Sequence, residues 1–282
     1  MFIIRVFGGL GNQLFQYSFG IYLSRKYKTD VFFDVENYTV NTYRNLSLDK
    51  MNIFLPLAEK RICKKFVKFE SLTLNKFYNL FIGNNYFSDE NFHQFRISDV
   101  HKVCYFNGYW QKYYFYKEIS ENFSFTLKTQ WIKLIYNEIK QIQSDEFSVS
   151  VHIRRGDFLT KENSKIYKVC EPSYFLNAET HMMRAHKSER INLYVFSDDI
   201  NWVKENIKFK SKCIYFNSEN ELRDFYLMSL CKKNIISNST FSLWAAILNK
   251  SKDKTVIAPR DWFFDKTINV NDLIPIDFIT LE

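Results

Sequence analysis

Four short polar stretches of this sequence could do chemistry, and each sits at the end of an apolar run. The most charged is residues 149–158, VSVHIRRGDF, where the run leads into His152, Arg154, Arg155 and Asp157. Each guanidinium offers a planar, permanently charged fork suited to phosphate oxygens, and Asp157 can hold one of them by a bidentate pair. An ordinary Arg–Asp surface pair beside a satisfied histidine is the alternative reading. Residues 7–13, FGGLGNQ, join a strand to a helix N-terminus, where free amides and the helix dipole favour an anion or a hydroxyl-rich sugar. In residues 195–199, VFSDD, Asp198 or Asp199 can accept from a guanine edge or ribose hydroxyls, while Ser–Asp also makes a standard helix N-cap. In residues 234–249, NIISNSTFSLWAAILN, four polar residues from Ser237 to Thr240 precede a helix where one cap would suffice, and together they form an anion site.

The glycine turn is not a dinucleotide fingerprint. Gly9 and Gly11 fit the first two positions of GxGxxG and Asp34 stands where a ribose acceptor would, but Leu14 occupies the third glycine position.

Apolar periodicity supplies the elements that position these loops. Residues 1–7 read as a strand, 12–26 as a helix and 31–34 as a second strand, an opening that argues a parallel sheet. Residues 46–95 are read as helical, and 105–110 as a strand. From residue 147 the pattern restarts: strands at 149–153, 192–197, 213–216 and 234–237, and helices at 173–186, from 201, at 221–230 and at 241–250. The expectation is an α/β protein of two domains facing a cleft, 1–145 and 146–282, with the boundary at a helix over 128–143 and the turn at 144–146. The final stretch, roughly twenty residues, is left open to packing back on the first domain. Open sheets bind ligands beyond the carboxyl ends of their strands, where all four stretches fall.

Composition narrows the function class. The 282 residues are 46% hydrophobic and 25% charged, enough for a folded, soluble protein. No apolar stretch approaches membrane-spanning length and no signal peptide opens the chain, so a cytoplasmic setting is expected. Five cysteines without a CxxC pair suit a reducing compartment. The net charge of +8 calls for an anionic partner. A nucleic-acid binder is disfavoured, because the basic residues are spread along the chain and the aromatics form no stacking motif.

Taken in order, GGLGNQLFQY, GYWQ at Gly108, VHIRRGDF followed by CEPSYF, FSDD with Trp202, and LMSLCKKNIISNSTFSLWAAILN resemble the bacterial α-1,2-fucosyltransferase family, glycosyltransferase family 11. Residues 45–103 carry no part of the resemblance, and Lys233 and Leu243 depart from the residues usual in the family. The resemblance implies a GT-B fold of two Rossmann-like domains, the second holding GDP-fucose. It implies that Arg154 or Arg155 neutralises the diphosphate, with His152 and Asp157 in the same motif. It maps the guanine acceptor to Asp198 or Asp199, the phosphate-binding turn to Asn238, Ser239, Thr240 and Phe241, and the cleft-lining loop to Gly11, Asn12 and Gln13.

The expected reaction is inverting transfer of L-fucose to the 2-hydroxyl of a terminal galactose, with no cofactor and no metal, the arginines carrying the charge that builds on GDP. Loss of one such donor typically costs ~10²- to 10³-fold. The acceptor hydroxyl needs a base, for which Asp34 and Glu36 are candidates. A different nucleotide-sugar transferase is the rival reading, since fold does not fix substrate. The expected acceptor is a galactose-terminated oligosaccharide or lipid-linked glycan of surface-polysaccharide (O-antigen) synthesis. The basic charge suits peripheral contact with an anionic membrane.

Overall fold

A computed structural model describes the chain except residues 41–43, 70, 123–125, 187–189, 218–219 and 266–269. The chain divides into two compact units, Met1–Phe125 and Thr126–Glu282.

The first unit is built on a parallel sheet of β1 (Phe2–Arg5), β2 (Val31–Asp34), β3 (Tyr86–Phe87) and β4 (Cys104–Phe106), in the order β2-β1-β4-β3. Helix α1 (Leu10–Tyr27) crosses from β1 to β2 and ends at Lys28, whose φ of 51° closes the helix in the left-handed region. Gly20 lets α1 close on the sheet, because a Cβ there would stand 2.8 Å from the Phe33 ring. Four more helices follow: α2 (Asn37–Val40), α3 (Lys60–Cys63), α4 (Leu72–Phe81) and α5 (Tyr113–Asn122). The aromatic richness of the sequence is spent here. Phe19 stacks on Trp110 with centroids 4.0 Å apart, and Phe2, Phe87, Phe92, Phe95 and Phe106 close around it. Each such pair adds about 0.5–1.5 kcal/mol beyond area burial.

The second unit opens with α6 (Thr129–Leu134) and α7 (Tyr136–Ser144). Then come β5 (Ser148–Ile153), α8 (Pro172–His186), β6 (Asn192–Ser197), α9 (Ile200–Asn206), β7 (Lys212–Asn217), α10 (Glu221–Leu230), β8 (Lys233–Ile235), α11 (Thr240–Leu248), β9 (Val256–Pro259) and β10 (Ile279–Leu281). All six strands run parallel, in the order β10-β9-β8-β5-β6-β7. That is the doubly wound order, with its switch point between β5 and β8. Both strands are wholly buried, as a parallel sheet covered by helices on its two faces requires.

Several expectations shift. The boundary falls at 125/126, because the helical stretch over 128–143 belongs to the second unit: α7 packs on α10, and Asp145 accepts from Asn192 and the Tyr194 hydroxyl. That stretch is also two helices, broken at Ile135 (φ −122°). Near the end of the chain β10 adds a strand beside β9, while residues 266–269 lie outside those described. Residues 46–95 hold only short helical pieces around β3, and the strand read over 105–110 stops at Phe106, where Asn107 and the Gly108 turn begin.

Candidate active site

The carboxyl ends of β5, β6 and β8 converge in the second unit. Strand β5 delivers Arg154 and Arg155 into a loop that the carboxylates behind β5 and β6 then order. Arg154 donates from Nε (2.9 Å) and Nη2 (2.7 Å) to Asp157 Oδ1 and from Nη1 to Asp198 Oδ2 at 2.8 Å. Three of its five N–H donors are thereby engaged, and its side chain is three-quarters buried. The Arg155 guanidinium lies 3.3 Å over the Trp202 ring and donates from Nε to Asp199 Oδ2 at 3.3 Å, leaving both Nη groups unengaged among the described residues.

Asp198 and Asp199 divide the work. Asp198 Oδ1 accepts the Arg155 backbone N–H at 2.9 Å, so this carboxylate fixes both the loop and Arg154. Asp199 caps α9 through the Trp202 N–H at 3.3 Å. Gly156 permits the arrangement, since a Cβ there would stand 2.8 Å from Asp198 Oδ2.

Across the switch point, His152 Nδ1 meets the Ser237 hydroxyl at 2.9 Å. Burial, and then the charge of Arg154, push the His152 pKa down to about 3, so the ring is neutral near pH 7. Its face packs 5.5 Å from Phe241, which also contacts Phe225. Ser239 is the N-cap of α11, yet its side chain makes no capping bond. The hydroxyl and first-turn amides of this nine-residue helix are therefore suited to an anion beside the arginines. Thr240 opens the helix.

Residues 1–276 match the family described as glycosyl transferase family 11. The chain belongs to that family. It is 32% identical to an alpha-1,2-colitosyltransferase of Escherichia coli, over 99% of this chain and 98% of that one. It is 31% identical to the O-antigen biosynthesis glycosyltransferase WbnK of Escherichia coli, over 91% and 93%. A shorter match, 31% over 36% of this chain and 28% of the relative, is to human galactoside alpha-(1,2)-fucosyltransferase 1. Among solved structures it is similar to a variant of Arabidopsis thaliana FUT1 in complex with GDP, with TM-score 0.55, 11% identity and coverage of 90% and 70%. It is also similar to the alpha-1,6-fucosyltransferase NodZ co-crystallized with GDP, with TM-score 0.54, 13% identity and coverage of 88% and 91%. The fold is accordingly of GT-B type, each unit of this family 11 glycosyltransferase having the Rossmann-like α/β form anticipated from sequence.

Not every residue expected in the site is exposed there. Asn238 is 2% exposed and its amide donates to the Lys168 and Trp262 carbonyls, so it clamps two loops. Gln13 is wholly buried in the first unit. Its amide nitrogen reaches the Gly8 and Asn45 carbonyls, and its oxygen accepts from the Ser47 and Leu48 N–H groups. Gly11 is buried in α1, and Asn12 accepts from Gln111. Gly8 holds φ at 80° in that turn. Asp34 is 4% exposed, with Oδ2 accepting from the Tyr105 hydroxyl and Oδ1 from the Glu36 N–H. Those bonds tie the Asp34 carboxylate to β4 and to the start of the loop after β2. Glu36 pairs with Lys60 at 2.5 Å. The two family departures are structural as well: Lys233 Nζ donates to the Asp253 carbonyl and the Thr255 hydroxyl, and Leu243 is buried in α11.

Gly156 was not singled out as a site residue, Trp202 was named only within a motif, and Ser237, read as part of an anion-binding run, meets His152 instead. The signal for Gly156 was its rarity, one of seven glycines and directly after the paired arginines. Stacking of Trp202 on Arg155 depends on the β5–β6 register, which spacing along the chain does not reveal.

Proposed function

We propose that this glycosyltransferase moves L-fucose from GDP-fucose to the 2-hydroxyl of a terminal galactose, with inversion and without a metal. The observation that carries the reading is the pair Arg154 and Arg155 beside the N-terminus of α11, at the switch point of the second sheet. The C1–O bond to the diphosphate breaks as the sugar gains oxocarbenium character and negative charge gathers on GDP. Guanidiniums already oriented by Asp157, Asp198 and Asp199 stabilise that charge without reorganising, which is the electrostatic contribution a metal would otherwise make. The acceptor hydroxyl loses its proton to a base as it attacks C1 from the opposite face; Glu36 is a better candidate than the enclosed Asp34. The acceptor is a galactose-terminated glycan of the O-antigen type, in line with the name of the WbnK relative.

A second donor is supported by one observation: the relative matched end to end is named a colitosyltransferase. Colitose is L-fucose lacking the 3-hydroxyl, so the same diphosphate and guanine contacts would serve either sugar.

The test is product formation from lactose in excess EDTA with GDP-fucose or GDP-colitose, using wild type, Arg154→Ala and Arg155→Ala. A 2-O-fucosylated product, reduced on the order of 10²-fold or more in a folded arginine variant, is expected. Turnover with GDP-colitose alone would move the donor to the second reading. Thermal stabilisation by UDP equal to that by GDP would remove the guanine assignment to the Asp198–Asp199 pair.

A further inference from the structure

Helix α4 is turned inside out. Among the described residues its two completely buried side chains are Asn75 and Asn79, whereas Leu74, Phe77, Leu80 and Phe81 are 52%, 63%, 76% and 92% exposed. At about 100° per residue those four form one continuous outward arc, opposite to the usual arrangement of a surface helix. Ile82 and Phe69, just beyond the two ends of the helix, are 45% and 44% exposed. Four large apolar side chains on one face exceed the scattered exposure that a protein surface normally carries.

The inward asparagines explain how such a helix is held. Asn75 donates to the Phe69 and Ser71 carbonyls and accepts from the Lys68 and Phe69 N–H groups. Asn79 donates to the Phe66 carbonyl and accepts from the Asn84 amide. Polar bonds therefore weld α4 to the chain that precedes it, where apolar contact does so in other helices. That preceding stretch is basic: Lys64, Lys65 and Lys68 are exposed, and residues 59–82 hold six basic side chains against two acidic ones. The cationic turn is thus fixed to the helix that carries the apolar arc.

We infer that α4 and the basic turn before it form a membrane-docking face, which seats Leu74, Phe77, Leu80 and Phe81 at the acyl boundary of an anionic phospholipid bilayer. Cationic side chains beside an apolar arc of this size match the interfacial helices that lie in the headgroup plane. Each lysine near an anionic leaflet adds attraction, while its methylene stem remains on apolar surface. Charge complementarity selects this occupant. A second copy of the chain would bring the same excess of positive charge against itself, whereas an anionic headgroup layer neutralises it. The docking face stands on residues of the first unit alone and is independent of which sugar the enzyme moves.

The test is flotation of the full chain with unilamellar vesicles, either pure phosphatidylcholine or phosphatidylcholine with about one-third phosphatidylglycerol. Wild type should float with the anionic vesicles at low salt, weaken at physiological salt and bind neutral vesicles poorly. A Lys64→Gln/Lys65→Gln/Lys68→Gln variant and a Phe77→Ser/Phe81→Ser variant should each lose at least ~10-fold in partitioning while keeping the wild-type circular dichroism melt. No flotation of wild type at low salt overturns the inference, as does undiminished binding by the phenylalanine variant. A wild-type dimer in sedimentation equilibrium that Phe81→Ser dissociates would assign the face to a second copy instead.

Discussion

The Nδ1 of His152 and the hydroxyl of Ser237 stand 2.9 Å apart, joining β5 to β8 where the strand order of the second sheet turns. Which of the two donates depends on the tautomer of the ring, which burial and the Arg154 charge keep neutral. With a folded pKa of about 3 against an ordinary 6.5, the folded state resists protonating His152 while the unfolded chain accepts the proton. Stability is therefore fully present above pH 6.5 and is lost as the pH falls towards 3. Between pH 7 and 5 this one group should remove ~2 kcal/mol. Melting curves of wild type and His152→Asn over that range should show a shallower pH dependence in the variant.

Gly156→Ala places a methyl group against Asp198 Oδ2. The carboxylate that holds Arg154 and the Arg155 N–H must then shift. The expected result is weaker GDP binding, on the order of 10-fold, with ~1 kcal/mol or less lost from folding. Calorimetric titration with GDP alongside urea unfolding separates the two effects.

Gln13→Ala should behave as a core substitution. Four backbone groups of the first unit lose a partner, the Gly8 carbonyl keeping the Tyr38 hydroxyl, at a cost of ~2–4 kcal/mol. A folded Gln13→Ala protein at low temperature should bind GDP like wild type; a large loss of GDP affinity without a loss of stability would return Gln13 to the donor site.

Asn238→Ala should likewise destabilise first, by ~2–3 kcal/mol, because the Lys168 carbonyl loses its amide donor and the Trp262 carbonyl keeps only the Lys168 N–H among its described donors. Ser239→Ala removes a hydroxyl that makes no capping bond, so it should leave the urea midpoint unchanged and weaken GDP binding. The paired measurements distinguish clamp from contact within a single loop.

The sequence was most legible where chemistry and periodicity agreed. The strand at 192–197 and the helix at 221–230 stand as read, and the polar stretches after β5, β6 and β8 all fall at carboxyl strand ends. Residue type alone could not separate a side chain that faces a ligand from one that braces the loop. Gln13 and Asn238 look like ligands by composition, but their amides satisfy nearby backbone groups. The boundary was misjudged because α7 is amphipathic in the manner of a linker helix, and its partner α10 lies some eighty residues onward. Helix α4 escaped notice for the opposite reason: its apolar spacing reads as a buried face and says nothing about which way that face points.

The placement of β5 at the centre of its sheet has a kinetic meaning. Its register with β6 ties residues about forty positions apart, and its register with β8 ties residues about eighty-five apart. The arginines and the α11 terminus therefore share a site only after both long loops have closed, an entropic barrier that local helix formation cannot offset. A nascent chain that has not yet emerged beyond Ser237 holds half a site, so acquisition of GDP affinity during synthesis would time the closing of the whole second unit.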